Sequence, residues 1–300
     1  MLEVLTVPFP NTVSLSLSSV CCAKCIFCPL GRGLVKPKEN KFMTLSVVDK
    51  IVSDCQDKIM ECIIIGDNGE ALLHPDFKEI TRRLRAGLPK CSFGLASNFY
   101  LMDEDMSKFV LDNYTQVSMN LDGFSEKTYS AVKGLPFHRV YENLTRFVSL
   151  RQSLGKSCKV NVNILTQPRY YAEIGEPERI TVPDETLATY RGLNGILRLP
   201  YVDGIFSPFV MTWAERKKWN RPRVGGPCIG MGSVGWKMFI DTNGDVYPCC
   251  QDYDSEIVFG NVLKNSVGEI WLGEKRTRFV SNIVSSRFAD IGDPCAHCQD

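Results

Sequence analysis

Apolar and polar residues alternate along Val13-Ser14-Leu15-Ser16-Leu17, the period of a half-buried strand. Cys62-Ile63-Ile64-Ile65-Gly66 is instead a short continuous apolar run, as a strand covered on both faces of a parallel sheet requires. Between them Leu45, Val48, Ile51 and Val52 share one face of a helix, with Thr44 placed to cap it and an end near Lys58. His74-Pro75-Asp76 opens a second helix reaching about Arg85. The alternation continues with a strand over 91–97, a helix over 103–112, a strand over 115–121, a helix from Ser125 and a longer one near 138–154. A strand from Val160 to Leu165 follows, and Ile196-Leu197-Arg198-Leu199 reads as the sixth. Strands alternating with helices build a parallel sheet with right-handed crossovers, and six repeats are too few to close an eight-fold barrel.

The pattern breaks after about residue 201, where 202–234 turn rich in Gly, Pro and aromatic residues. Trp236–Asp241 and Asp245–Tyr247 flank Thr242-Asn243-Gly244, and Asn-Gly is a strong hairpin signal. Helices around 266–272 and on to about 284 lead to Cys295-Ala296-His297-Cys298. The chain therefore divides into residues 1–205, an α/β unit, and 206–300, a small hairpin-and-helix unit.

Charge is balanced, with Lys+Arg 35 against Asp+Glu 34, so there is no electrostatic footprint for nucleic acid or an anionic membrane. No apolar run has spanning length and the N-terminus lacks a secretory pattern, so a soluble cytoplasmic protein is expected. In such a chain 13 cysteines point to metal or redox chemistry rather than a disulfide framework. Cys55, Cys62, Cys91 and Cys158 are scattered through apolar or helical stretches and read as buried thiols. The others fall into two sets.

In the first set, Cys21, Cys25 and Cys28 form C-x3-C-x2-C, with Phe27 before the last cysteine. Three thiolates on one short loop can hold three irons of a [4Fe–4S] cube and leave the fourth open. The alternative is a zinc knuckle, but zinc takes four ligands and the next histidine is the distant His74. Cys22 is a candidate fourth ligand only if adjacent cysteines chelate one ion. The second set, Cys228, Cys249, Cys295 and Cys298, offers four thiolates to either a cluster or a structural zinc.

The N-terminal motif resembles that of the radical S-adenosylmethionine (SAM) enzymes, whose open iron chelates the amino and carboxylate groups of SAM. The resemblance implies a partial (β/α)6 TIM-type barrel with its chemistry at the C-terminal strand ends. Gly66-Asp67-Asn68-Gly69-Glu70-Ala71 looks like the family's Gly-Gly-Glu-Pro loop, with Ala71 in place of proline. By that likeness Gly69 and Glu70 meet the SAM ammonium. Ser97-Asn98 resembles Thr-Asn-Gly, and Asn120-Leu121-Asp122-Gly123 resembles Ser-Leu-Asp-Gly. This makes Asn98, Asn120 and Asp122 candidates for the ribose and methionine, with Phe27 near the adenine.

With such a motif upstream, the second set resembles the short C-terminal extension called Twitch, a truncated relative of the SPASM domain. It implies one auxiliary [4Fe–4S] cluster on Cys228, Cys249, Cys295 and Cys298, two clusters in all. Its spacing is similar to that of aminocyclitol dehydrogenases. In Pro248-Cys249-Cys250-Gln251-Asp252 the spacing leaves Cys250 outside the ligand set. Radical SAM epimerases acting on aminoglycosides and on certain peptides return hydrogen to a substrate radical from a cysteine in this part of the chain. The expected activity is therefore inversion of a carbinol carbon: a 5′-deoxyadenosyl radical abstracts hydrogen and Cys250 returns it. The alternatives are a dehydrogenase in which Cys250 is incidental, a peptide-modifying enzyme, and a zinc-stabilised binding module. Asp203, Trp213, Glu215, Arg216, Trp219, Arg221, Arg223, Asp252 and Tyr253 form a polar, aromatic collection suited to an aminosugar, and an external one-electron reductant such as flavodoxin or ferredoxin is implied.

Overall fold

The computed structural model describes residues 8–123, 125–163, 204–206, 228 and 231–298. Six strands, β1 (Thr12–Leu15), β2 (Cys62–Ile65), β3 (Ser92–Ser97), β4 (Gln116–Asn120), β5 (Lys159–Asn163) and β6 (Gly204–Phe206), lie side by side in chain order, every pair parallel. Parallel neighbours need crossovers. Helices α1 (Leu45–Cys55), α2 (Phe77–Gly87), α3 (Glu104–Asn113) and the pair α4 (Glu126–Lys133) and α5 (Phe137–Ser153) supply the four that join β1 to β5. Val13, Leu15, Ile63, Ile65, Val117, Met119, Val160 and Val162 are buried in one continuous core with the apolar faces of these helices.

Some boundaries differ from the periodicity. Helix α1 ends at Cys55 rather than near Lys58, because Cys55 is its last buried side chain and Ile59 beyond it is 93% exposed. Thr44 makes no capping bond from its side chain; its hydroxyl meets Ser46 Oγ at 2.8 Å instead. The second helix starts at Phe77, since His74 is already committed, with Nε2 bonded to the Met43 carbonyl at 2.8 Å and Nδ1 accepting Asp76 N–H at 2.9 Å. The strand expected at 196–199 lies outside the described residues, among which the sixth strand is Gly204–Phe206.

The hairpin does not stand apart from the sheet. Strand β7 (Lys237–Ile240) runs parallel to β1, with Val13 opposite Met238 and Leu15 opposite Ile240. Strands β8 (Asp245–Tyr247) and β9 (Gly260–Asn261) continue it antiparallel, giving nine strands in the order β6-β5-β4-β3-β2-β1-β7-β8-β9. Met238, Phe239 and Ile240 are all buried, which suits an inner strand. A short helix α6 (Met231–Val234) precedes β7, and α7 (Val267–Leu272) and α8 (Glu274–Val284) follow β9. Ser266 and Glu269 form a capping box at the start of α7. Val267 N–H donates to Asp54 Oδ2 of α1 at 3.0 Å, and Ile270 and Trp271 enter the main core. A second apolar cluster gathers Val234, Phe279, Val280, Ile283 and Phe288 around Cys295, with Cys228 packed against it.

Trp271 fastens the C-terminal unit to the main core, fully buried with the Arg276 guanidinium 3.2 Å from its ring centroid. Trp271→Ala is expected to cost about 3–5 kcal/mol, seen as a lower urea midpoint. A loss below about 1 kcal/mol would contradict that docking.

Candidate functional site

At the C-terminal ends of β1, β2 and β3 the chain turns back on itself around one buried carboxylate. Glu70 is 2% exposed. Its Oε1 accepts Ser97 Oγ at 2.9 Å and Leu72 N–H at 3.2 Å, and its Oε2 accepts Asn98 N–H at 2.8 Å. Burial pushes its pKa up, and the bonds from Asn98, Leu72 and Ser97 oppose that. The loop before it has to be glycine: Gly69 has φ +68, and a Cβ there would lie 2.1 Å from the Ser18 carbonyl oxygen. Glu70 N–H donates to Val20 O at 2.9 Å, fixing this loop to the start of the cysteine segment.

The cysteine segment is held from the other side by the last turn of α4. Lys24 N–H donates to Lys133 O at 2.8 Å and Ile26 N–H to Val132 O at 3.0 Å. Gly31 folds back so tightly that a Cβ would meet Cys25 O at 2.4 Å. Each thiol of the motif faces a donor. Cys21 Sγ is met by Ala23 N–H at 3.4 Å and by Asn98 Nδ2 at 3.7 Å. Cys28 is met by the Gly31 and Leu30 N–H groups, and Cys25 by Lys133. Burial pushes the Cys25 thiol up to about 11 against the lowering pull of Lys133. Asn98 Nδ2 also meets Cys22 Sγ, at 3.3 Å. Cys21, Cys25 and Cys28 all lie within electrostatic reach of the Tyr253 hydroxyl.

Among the described residues no three His, Cys, Asp or Glu side chains are close enough to hold a single metal ion. A cube spreads its ligands over several irons, and cluster thiolates are stabilised by N–H donors at sulfur. The donors on Cys21, Cys25 and Cys28 fit that requirement. In the second set, burial pushes the Cys249 thiol up, and Cys250, Cys295 and Cys228 act on it in the same direction. Cys295 and Cys298 are buried. Cys250 additionally lies in electrostatic reach of Tyr247, whose hydroxyl bonds Ser16 Oγ at 3.2 Å and accepts Asn68 Nδ2 at 3.3 Å.

Of the expected SAM-pocket residues, Gly69, Glu70 and Asn98 are brought together with the cysteine loop. Asn120 is exposed and accepts Asn163 Nδ2 at 3.0 Å. Asp122 is paired with Lys133 Nζ at 3.0 Å, both side chains buried. Phe27 has the Lys133 ammonium 5.5 Å from its ring centroid. Asp203, Trp213, Glu215, Arg216, Trp219, Arg221 and Arg223 lie outside the described residues. Asp252 serves its own turn, its two oxygens each accepting at 2.9 Å from Glu256 and Ile257 N–H. Tyr253 is buried against the Gly69 backbone and the first cysteine loop. Sequence reasoning gave no task to Lys133 or Tyr129. The helical spacing of Tyr129 and Lys133, after the strand end carrying Asp122, is the signal that was available.

Phe99, after Asn98, adopts φ +63 where the resembling motif has glycine. That backbone is strained for a bulky residue. Phe99 is held there by edge packing on Phe147 at 5.4 Å and by Asn143 Nδ2 donating to its carbonyl at 2.8 Å.

A model of the radical SAM superfamily matches residues 15–167, half of the chain, and a model of the SPASM iron–sulfur cluster-binding domain matches residues 228–299. No curated protein matches the chain in sequence. Among solved structures, BtrN in complex with AdoMet and 2-DOIA is similar at 14% identity with a TM-score of 0.64, over 97% of this chain and 94% of that one. Streptococcus suis SuiB bound to precursor peptide SuiA is similar at 15% identity and a TM-score of 0.62, over 90% of this chain and 66% of that one. Native anSMEcpe with bound AdoMet and Cp18Cys peptide is similar at 15% identity and 0.60, over 90% and 82%. At such identities the likeness is one of fold. The chain belongs to the radical SAM superfamily, which brings a [4Fe–4S] cluster and SAM as cofactors, and its SPASM segment brings auxiliary iron–sulfur.

Glu70→Ala leaves two backbone N–H groups and a hydroxyl without their acceptor. It is expected to cost about 1–3 kcal/mol or more, read as a lower thermal midpoint, and to weaken SAM binding while the iron content holds. An unchanged midpoint would contradict the latch.

Proposed function

We propose that this radical SAM superfamily member is an epimerase that inverts a carbinol carbon of an aminosugar-type substrate, with Cys250 as the hydrogen donor. The observation that carries the reading is the placement of Cys250. It adjoins Cys249, on which Cys228 and Cys295 act electrostatically, and it lies in electrostatic reach of Tyr247, whose hydroxyl bonds Ser16 and Asn68 at the strand ends. A non-ligand thiol between the auxiliary site and the sheet interior is where a donor to a bound substrate belongs.

In this reading Cys21, Cys25 and Cys28 hold the first cluster, and Cys228, Cys249, Cys295 and Cys298 hold one auxiliary cluster. When bound, the first cluster and SAM together supply the radical that takes hydrogen from the substrate carbon. Gly69 and Glu70 receive the SAM ammonium: the carboxylate has acceptor capacity beyond its three internal bonds. Asn98 and Asn120 take polar groups of its methionine and ribose, and Phe27 packs near its adenine. The surrounding strand ends and loops orient the substrate and exclude water.

Cys250 then gives a hydrogen atom from the opposite face. Its S–H bond breaks homolytically, the new C–H bond forms with inverted configuration, and the thiyl left on sulfur takes back one electron and one proton. The electron comes ultimately from an external one-electron reductant of flavodoxin or ferredoxin type. We assign the first chemistry to residues 1–205 and the auxiliary site to residues 206–300, in a protein working in a reducing cytoplasm. No helix among the described residues is long and apolar enough to cross a membrane.

A small-molecule substrate is supported by the near end-to-end likeness to BtrN, solved with AdoMet and 2-DOIA. That likeness equally favours a second reading, a dehydrogenase that oxidises a secondary alcohol of an aminocyclitol or sugar. SuiB and anSMEcpe were solved with peptides, so a peptide belongs among the substrates assayed.

Cys250→Ala separates these. The variant is expected to go on converting SAM to deoxyadenosine with an aminosugar substrate but to deliver no epimer. Wild type in deuterium oxide is expected to place one deuterium at the inverted carbon. A product lacking two hydrogens, made by Cys250→Ala at the wild-type rate, would overturn the epimerase reading in favour of the dehydrogenase.

A further inference from the structure

Lys133 is the last residue of α4 and one of the most deeply buried charges among the described residues, its side chain 3% exposed and that of Asp122 2%. Its ammonium donates to Asp122 Oδ2 at 3.0 Å, makes a second hydrogen bond toward Cys25, and stands 5.5 Å from the Phe27 ring centroid. The same turn of helix holds the cysteine loop by its backbone, through the Lys133 and Val132 carbonyls. Beside them the Tyr129 hydroxyl is buried with no hydrogen-bonding partner among the described residues, in electrostatic reach of Lys133, Asp122 and Cys25.

A buried ion pair is a weak source of stability compared with apolar side chains of similar volume. An aliphatic pair would fill this space at least as well, so the charge itself calls for another explanation. The ammonium is fixed by its carboxylate partner beside the Cys25 sulfur.

We propose that Asp122 and Lys133 form an electrostatic clamp on the Cys25 corner of the first cluster, with Lys133 a positioning residue that favours the cluster's reduced state and Asp122 the anchor that fixes the ammonium. This rests on the reading that Cys21, Cys25 and Cys28 hold that cluster, and it gives Asp122 a role other than ribose binding. Reduction adds one negative charge to the cluster. A cation held nearby in a low-dielectric setting lowers the energy of that state, as does a hydrogen bond to the ligating sulfur. The clamp thus raises the reduction potential and eases electron entry. Removing the cation and removing the anion must then act in opposite directions.

The test is an EPR-monitored redox titration of the reconstituted full chain, following the cluster whose signal changes when SAM is added. Lys133→Met is expected to shift that cluster's midpoint potential to more negative values. Asp122→Asn, which keeps an acceptor for the ammonium, is expected to shift it to more positive values. Lys133→Arg restores most of the wild-type potential, and the auxiliary cluster's potential stays put in all three. If Lys133→Met does not load the first cluster, Asp122→Asn decides by the sign of its shift. Unmoved potentials in fully loaded variants, or shifts of the same sign in both, would overturn the clamp. Failure of the underlying reading looks different: wild type would show no SAM-sensitive cluster signal, and Cys25→Ala would keep its full iron.

Discussion

The Glu70 carboxylate is the constraint on which the rest of the site depends. It closes the gap between the ends of β2 and β3 with three hydrogen bonds, and its own N–H ties that corner to Val20. Bonds from buried donors to a carboxylate are worth about 1.5–3 kcal/mol each, set against a comparable desolvation cost. The net gain is small and the geometric effect is large. With Ser97 and Asn98 fixed, Asn98 Nδ2 is aimed at Cys21 and Cys22. Phe99, next in the chain, adopts its positive φ. A neutral or shorter side chain at 70 would free all of these together.

The second constraint is the parallel pairing of β7 with β1. It places the C-terminal cysteines beside the strand ends that carry the first cysteine loop, although more than two hundred residues separate Cys21 from Cys249 in sequence. Tyr247 and Tyr253 exploit this closeness. The first bonds Ser16 and Asn68 at the ends of β1 and β2, and the second lies against Gly69 and the first cysteine loop. Both tyrosines are pushed to pKa values well above the usual range by burial, so their hydroxyls stay neutral.

The β/α alternation, the cysteine sets and the Gly69-Glu70 loop were legible in the sequence because each is written in a local pattern: a period, a spacing, a turn. What was not legible is what those patterns meet. The periodicity overran α1 because polar residues after Cys55 share the helical period but find no core to bury against. The hairpin was readable from Asn243-Gly244, while its insertion beside β1 rests on long-range register that no local signal carries. Asp122 was readable as a polar strand-end residue. That its partner is Lys133 depends on α4 returning over the loop, and Asp252 and Tyr253 likewise proved to be committed to their own turn and to the first loop.

The central claim is the division of labour between two adjacent cysteines, Cys249 as a cluster ligand and Cys250 as a thiol outside the ligand set. Iron content and the EPR spectrum after anaerobic reconstitution test it without any substrate. Wild type and Cys250→Ala are predicted to carry about eight irons in two clusters, and Cys249→Ala about four, with the SAM-sensitive signal retained. Loss of the auxiliary cluster in Cys250→Ala, with Cys249→Ala fully loaded, would contradict the account.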